Sequence, residues 1–267
     1  MGISSNTLWH QTNKKGLKGI IKNKCLYLSY SLEDIHSTRY NSKYAYPMVS
    51  VCDIPLAETG NYLKKYGFYT IGFSAEWGRR NHFSTVWYCD QNSLTIEKIH
   101  DMLVNRIVSE DTNSGENMED DWFTQNIVYI CSYIKQYEGP LLKRGYKKYR
   151  FYDERELRYV PDTKVLSEIG AKQMLSEQEY NEYKAKHKKS PILSKNLNIP
   201  FEWEDIKFII VDKDSEKTEF RDVIQKCSGK KDLNISFFTN DEVREDIIGM
   251  CHDKKTKKKK KKNKKNK

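Results

Sequence analysis

Residues 152–161 read Tyr152-Asp153-Glu154-Arg155-Glu156-Leu157-Arg158-Tyr159-Val160-Pro161. Read as a strand, the period of two places Glu154, Glu156 and Arg158 on one face and Arg155, Leu157 and Tyr159 on the other. Two carboxylates ~7 Å apart on one strand face, with a cation beyond them, form a polar stripe. As a solvated face it would carry cross-strand ion pairs worth well under ~1 kcal/mol each. At the mouth of a cleft, a carboxylate there accepts hydrogen bonds from a ribose hydroxyl and stabilises an oxocarbenium-like centre.

Outward from this stretch, the first 90 residues carry short β-branched and aromatic runs: TLWHQT, CLYLSYS, YPMVSVCDI, FYTIGFS and STVWYC. Each is broken by Gly, Asn, Lys or acidic residues, as strands are. A short helix is predicted over 14–22, with Leu17, Ile20 and Ile21 on one face. Further helices are predicted over 94–107 and 122–137, the latter from Ile127, Ile130, Ile134 and Tyr137. Residues 139–161 read as a basic loop running into the acidic strand. An exposed charged helix is predicted at 176–188, with Ser176 and Glu179 as a capping box. The C-terminal part reads strand (207–212), helix (215–227), strand (234–238), helix (240–250), with Thr239 or Asn240 as the last cap. Strands first and mixed elements later define an α+β class, with a split or strongly bent mixed sheet and flanking helices.

The 267 residues carry a formal charge of +10, but residues 254–267 hold 11 Lys and no acid, which leaves the first 253 residues at −1. The body is therefore not a basic nucleic-acid binder. The expected organisation is one α+β domain over 1–253, a flexible acidic loop at about 109–121, and a disordered Lys-rich tail at 254–267. The tail reads as a solubilising segment or as a salt-dependent contact for nucleic acid. No two of the six cysteines lie close enough for a CxxC pair, and no histidines pair at i, i+4, so no metal site is expected. GxGxxG after a strand, GxxxxGK[ST], HExxH and GxSxG are all missing. No apolar stretch approaches the roughly 20 residues that span a bilayer. A soluble cytoplasmic chain without membrane contact is expected.

Two further segments carry candidate chemistry. In Leu8-Trp9-His10-Gln11-Thr12, His10 and Thr12 share one side of an otherwise apolar strand, either as satisfied structural groups or as ligand contacts. In residues 44–55, YAYPMVSVCDIP, two prolines bracket a strand that reads as buried and as leading into a loop.

Together SNTLWHQT, LYLSYSLED, YPMVSVCDIPLAE, YGFYTIGFSAEWGRR, DERELRYVP and IKFIIVDKD resemble the AbiGi family of abortive phage-resistance proteins over roughly residues 5–250. The resemblance implies one half of a phage-exclusion or toxin–antitoxin pair, with a cognate toxin or antitoxin as partner. A more distant resemblance, to DarT-like ADP-ribosyltransferases, rests on His10-Gln11-Thr12, on Leu17–Ile21 followed by Leu26-Tyr27-Leu28-Ser29, and on Glu156-Leu157-Arg158-Tyr159-Val160. It implies an ADP-ribosyltransferase-like body using NAD as substrate and a macromolecular acceptor. His10 and Thr12 would then hold the adenosine ribose, and Tyr27 or Tyr30 would stack on nicotinamide, with Ser50 competing for that place. Glu156 would be the catalytic carboxylate, with Glu154 orienting the acceptor. Arg158 departs from that pattern, because the transferase strand is usually apolar there. The alternative is a non-catalytic antitoxin or interaction module.

Overall fold

Trp9 shows how the first strand is built into its surroundings. It is 2% exposed, its indole N–H donates to the Ile54 carbonyl at 2.8 Å, and its ring lies 5.4 Å from that of Phe208. The computed structural model describes residues 6–59, 67–109, 122–141, 145–186 and 192–244. In chain order the strands are β1 (Thr7–Thr12), β2 (Cys25–Tyr27), β3 (Ser29–His36), β4 (Asn41–Cys52), β5 (Tyr69–Ser74), β6 (Ser84–Thr85), β7 (Trp87–Cys89) and β8 (Ile134–Gln136). They continue as β9 (Glu138–Leu141), β10 (Tyr146–Arg150), β11 (Glu156–Tyr159), β12 (Leu175–Ser176), β13 (Asn198–Pro200), β14 (Ile206–Val211) and β15 (Ser236–Thr239). The chain divides into two compact units, each assembled from separated segments.

The first unit comprises the described residues within 1–24, 53–77 and 201–267. β1 runs antiparallel to β5, pairing Leu8 with Phe73, His10 with Ile71 and Thr12 with Tyr69. Gly72 sits opposite Trp9, and a Cβ there would come within 2.8 Å of the indole ring, so only glycine allows this approach. β14 pairs antiparallel with β5 and parallel with β15. A parallel neighbour requires a crossover, and the helix Asp214–Ser228 supplies it. That helix packs on the helix Lys14–Asn23, whose Leu17, Ile20 and Ile21 are buried. Asn13 caps the earlier helix by accepting the Gly16 amide at 2.8 Å.

The second unit comprises 25–52 and 78–200. β3 and β4 form an antiparallel hairpin from Ser29↔Met48 to His36↔Asn41. The far half of β4 pairs with β11, and β6 flanks the other edge of β11. Short pairs complete the unit: β7 parallel to β8, β9 antiparallel to β10, and β2 antiparallel to β13. Helices Leu94–Ser109 and Trp122–Cys131 pack together. Ile35, Tyr46, Met48, Ile96, Leu103, Val128, Cys131 and Ile134 form the core beneath them. The architecture is α+β, with split, mixed sheets and flanking helices.

The helices at 14–22 and 94–107 and the C-terminal strand–helix–strand order stand where expected. So does the capping box before Glu177–Lys186, where the Ser176 amide meets Glu179 at 2.7 Å and the Glu179 amide meets Ser176 Oγ at 3.2 Å. Thr239 and Glu242 make the same reciprocal pair at the start of helical residues 240–244. Three expectations are corrected. The basic loop expected from residue 139 holds the antiparallel strands β9 and β10, because Tyr149 pairs with Gly139 and Arg150 with Glu138. The helix predicted over 122–137 ends at Cys131, because Ile134–Gln136 pairs with Trp87–Cys89; a parallel ladder there overrides a helical period. The strand predicted through 152–161 begins only at Glu156. Phe151–Glu154 is a 3₁₀ turn, ended by Arg155 in the left-handed region at φ 45°. Of the acidic loop expected at about 109–121, Ser109 ends the helix Leu94–Ser109 and 110–121 lie outside the described residues, as do 245–250 of the last predicted helix and the tail at 254–267.

Candidate functional site

β11 is flanked by β4 and β6, and its alternation turns Glu156 and Arg158 inward while Leu157 and Tyr159 are half-buried. The inward face of an inner strand is thus charged. Burying a charge is costly unless it is paired and hydrogen-bonded, so partners must converge on this face.

Glu156 is 5% exposed and its two carboxylate oxygens are both engaged. Oε1 accepts from Arg158 Nε at 2.7 Å and from Ser50 Oγ at 2.6 Å. Oε2 accepts from Lys135 Nζ at 2.5 Å. Lys135 also donates to Glu154 Oε2 at 2.8 Å, so one ammonium joins the two acids, with the Phe151 ring 5.2 Å beneath it. Arg158 is completely buried. Its Nη1 donates to the Ser132 carbonyl at 2.6 Å, and its Nη2 lies 3.0 Å from Glu33 Oε1, at ion-pair distance but outside hydrogen-bonding geometry. The Glu156 backbone amide donates to the Tyr88 hydroxyl at 2.8 Å.

The electrostatics follow from these contacts. Burial alone would push the Glu156 carboxyl up, but Arg158 and Lys135 outweigh it and hold it well below the usual carboxylate range. Burial would lower Arg158 and Lys135, yet the acids around them keep both above their ordinary values. Glu33 goes the other way: burial dominates, the neighbouring Glu156 adds to it, and the carboxyl is pushed up despite Arg158 and Lys135. Burial, reinforced by Glu154 and Glu156, pushes the Cys52 thiol well up, which keeps it protonated and a poor nucleophile.

The structure brings Glu154 and Glu156 together, as the period-two reading expected, although Glu154 arrives from a 3₁₀ turn. The solvated face considered for this stripe is not found, since Glu154, Glu156 and Arg158 are all buried. Tyr27, on β2, is 40% exposed. Tyr30, on β3, is buried, donates its hydroxyl to the Lys172 carbonyl at 2.5 Å and meets Tyr183 edge-on at 4.9 Å. Ser50 is committed to Glu156. His10 and Thr12 stand half-buried on β1. Gly16 leaves room for Thr12, since a Cβ there would fall 2.1 Å from Thr12 Oγ1. Sequence reasoning missed Lys135, Glu33 and Tyr88. The signal for Lys135 was a lone cation inside the apolar run SYIKQY; Glu33 gave none, because in SYSLEDIH it stands beside the exposed Asp34 and reads like it.

Fold and site define a mixed α+β protein whose inner strand carries a closed network of buried ion pairs. The chain belongs to the family described as "Putative abortive phage resistance protein AbiGi, antitoxin", whose model matches residues 20–212. It is similar to "Abortive phage resistance protein AbiGi" of Lactococcus lactis subsp. cremoris, 28% identical over 227 residues, covering 75% of this chain and 88% of that protein. Among solved structures it is similar to Thermus sp. 2.9 DarT in complex with carba-NAD+, at 11% identity and a TM-score of 0.36, covering 88% of this chain and 96% of that one. Among the described residues, no helix is long and apolar enough to cross a membrane.

Proposed function

We propose that this chain serves phage resistance by binding rather than by catalysis, as the partner that neutralises a cognate toxin. The observation that carries this reading is the state of Glu156. A carboxylate stabilises developing positive charge when its own charge is uncompensated and aimed at the reacting centre. Here Arg158, Ser50 and Lys135 occupy both of its oxygens, and the two cations offset its charge. The family's description as an antitoxin supports the same reading. The test is expression of the chain alone and together with the product of its neighbouring gene. The chain alone is harmless, consumes no NAD, and rescues growth when the neighbour is toxic. Toxicity of the chain alone, removed by Glu156→Gln, overturns the proposal.

One observation favours a second reading, NAD-dependent ADP-ribosyl transfer to a macromolecule. Glu154 and Glu156 share a single ammonium, so displacement of Lys135 by a cationic ligand frees both acids at once. In that reading Glu156 faces the ribose carbon and Glu154 orients the acceptor. His10 and Thr12 hold the adenosine ribose, and Tyr27, whose ring is exposed, stacks on nicotinamide in preference to the committed Tyr30. Calorimetric titration of the wild type with NAD separates the two readings.

A further inference from the structure

A second candidate site lies wholly within the second unit, and none of the residues of the Glu156 network lines it. It is an open cleft of about 220 Å³ between β6, the start of β7 and the end of helix Trp122–Cys131, lined by His82, Ser84, Thr85, Trp87, Tyr129, Ile130 and Tyr133. Its walls are aromatic. Trp87 is 56% exposed and Ile130 39%. The Tyr129 and Tyr133 hydroxyls lie 3.4 Å apart on the far side.

The two tyrosine hydroxyls engage each other, but four other polar groups are uncommitted. The His82 imidazole, the Ser84 and Thr85 hydroxyls and the Trp87 indole N–H have no hydrogen-bond partner among the described residues. Four such groups around aromatic walls are what recognition of a flat polar ring requires: stacking supplies affinity, and the rim groups read the ring edge. The backbone supports this. His82 sits at φ 59°, a conformation costly for a residue with a side chain, and such strain clusters at binding sites. The turn is held by the His82 amide on the Arg79 carbonyl at 3.1 Å and the Phe83 amide on the Gly78 carbonyl at 2.9 Å. The exposed Arg79 brings a cation to the same turn.

Size selects the ligand. Clefts that enclose drug-sized ligands run to roughly 300–1,000 Å³. This one, at about 220 Å³, encloses a single ring system and leaves the rest of a ligand in solvent. We propose that it binds a purine base, presented by a mononucleotide. This inference rests on neither reading of Glu156.

The test titrates the full chain with AMP, GMP, CMP and UMP, followed by tryptophan fluorescence and calorimetry. A purine nucleotide binds and quenches fluorescence, and the pyrimidine nucleotides bind at least about tenfold more weakly. Trp87→Ala weakens purine binding about tenfold or more, as loss of a stacking platform does. The double variant Ser84→Ala/Thr85→Val weakens it too and narrows the preference among nucleotides. Trp122→Ala, at a 74% exposed position outside the cleft, leaves binding unchanged. Coincident thermal melts establish that all variants fold. No purine binding at millimolar nucleotide overturns the proposal, as does purine binding indifferent to Trp87→Ala. Binding of N-acetylphenylalaninamide as tight as that of any nucleotide also overturns it, and assigns the cleft to an aromatic side chain of a protein partner.

Discussion

Two ion networks in this chain use the same chemistry in opposite surroundings. In the first unit, Lys14 bridges Glu216 at 2.8 Å and Glu219 at 2.9 Å, and Lys18 joins Glu219, all between two surface helices. Water reaches the cation and the outer acid, since the Lys14 and Glu219 side chains are 39% and 36% exposed, whereas Glu216 is 10% exposed and is held in addition by the Tyr69 hydroxyl at 2.9 Å. In the second unit, Glu33, Lys135, Glu154, Glu156 and Arg158 make comparably short contacts with almost no access to water. A screened pair contributes little and loses little when cut. A buried network has already lost its hydration, so removing one member strands the others. Distance alone therefore says nothing about consequence; solvent decides it.

The largest expected effect is Arg158→Ala. It leaves Glu156 and Glu33 buried without their shared cation and costs about 3–5 kcal/mol, read from urea unfolding. A loss below about 1 kcal/mol would show that water enters the cluster, and would erase the contrast with the surface network. Lys135→Met is milder, at about 2 kcal/mol, because the ammonium is 15% exposed and Arg158 still faces Glu156. Replacing the inner trio together, Glu33→Leu/Glu156→Met/Arg158→Leu, leaves the Lys135–Glu154 pair intact and keeps stability at the wild-type level or raises it by up to about 4 kcal/mol. Retained stability with lost toxin rescue would show that the charges serve function rather than folding.

Acid sharpens the same comparison. The Glu156 carboxyl is depressed in the folded chain, so its contribution is present above its ordinary value of 4.5 and is lost as pH falls below that toward the folded value. Urea midpoints should therefore drop as pH falls below 4.5, with a shallower slope in Glu156→Gln. Glu33 carries the opposite sign. Its folded carboxyl is raised, so its contribution is complete below 4.5 and is lost as pH rises through the folded value. Glu33→Gln should flatten that opposing trend. The smallest effect belongs to the first unit: Lys14→Ala should leave the urea midpoint unchanged within error, and salt should not separate variant from wild type.

Much of the fold was legible because its signals are local. Ser176 with Glu179, and Thr239, were legible as caps because they act through contacts three residues apart, which sequence displays directly. The run KFIIVD announced a buried strand because apolar side chains there need no particular partner. The site was legible only in outline. Glu154, Glu156 and Arg158 announced a polar stripe, but a stripe reads alike in water and in a core.

Composition, short-range period and caps were enough to determine the α+β class and the order of most elements. Each depends on groups within about a turn of one another, where chain geometry leaves few choices. Tertiary structure decided the rest. It turned Ile134–Gln136 from the end of a helix into a strand beside Trp87–Cys89, and so delivered Lys135 to Glu154 and Glu156. It also set the β4–β11 register that lays Ser50, 106 residues away in sequence, against Glu156. Whether a carboxylate is free to act or is neutralised depends on such distant partners and on the exclusion of water, and neither is a property of the residues beside it.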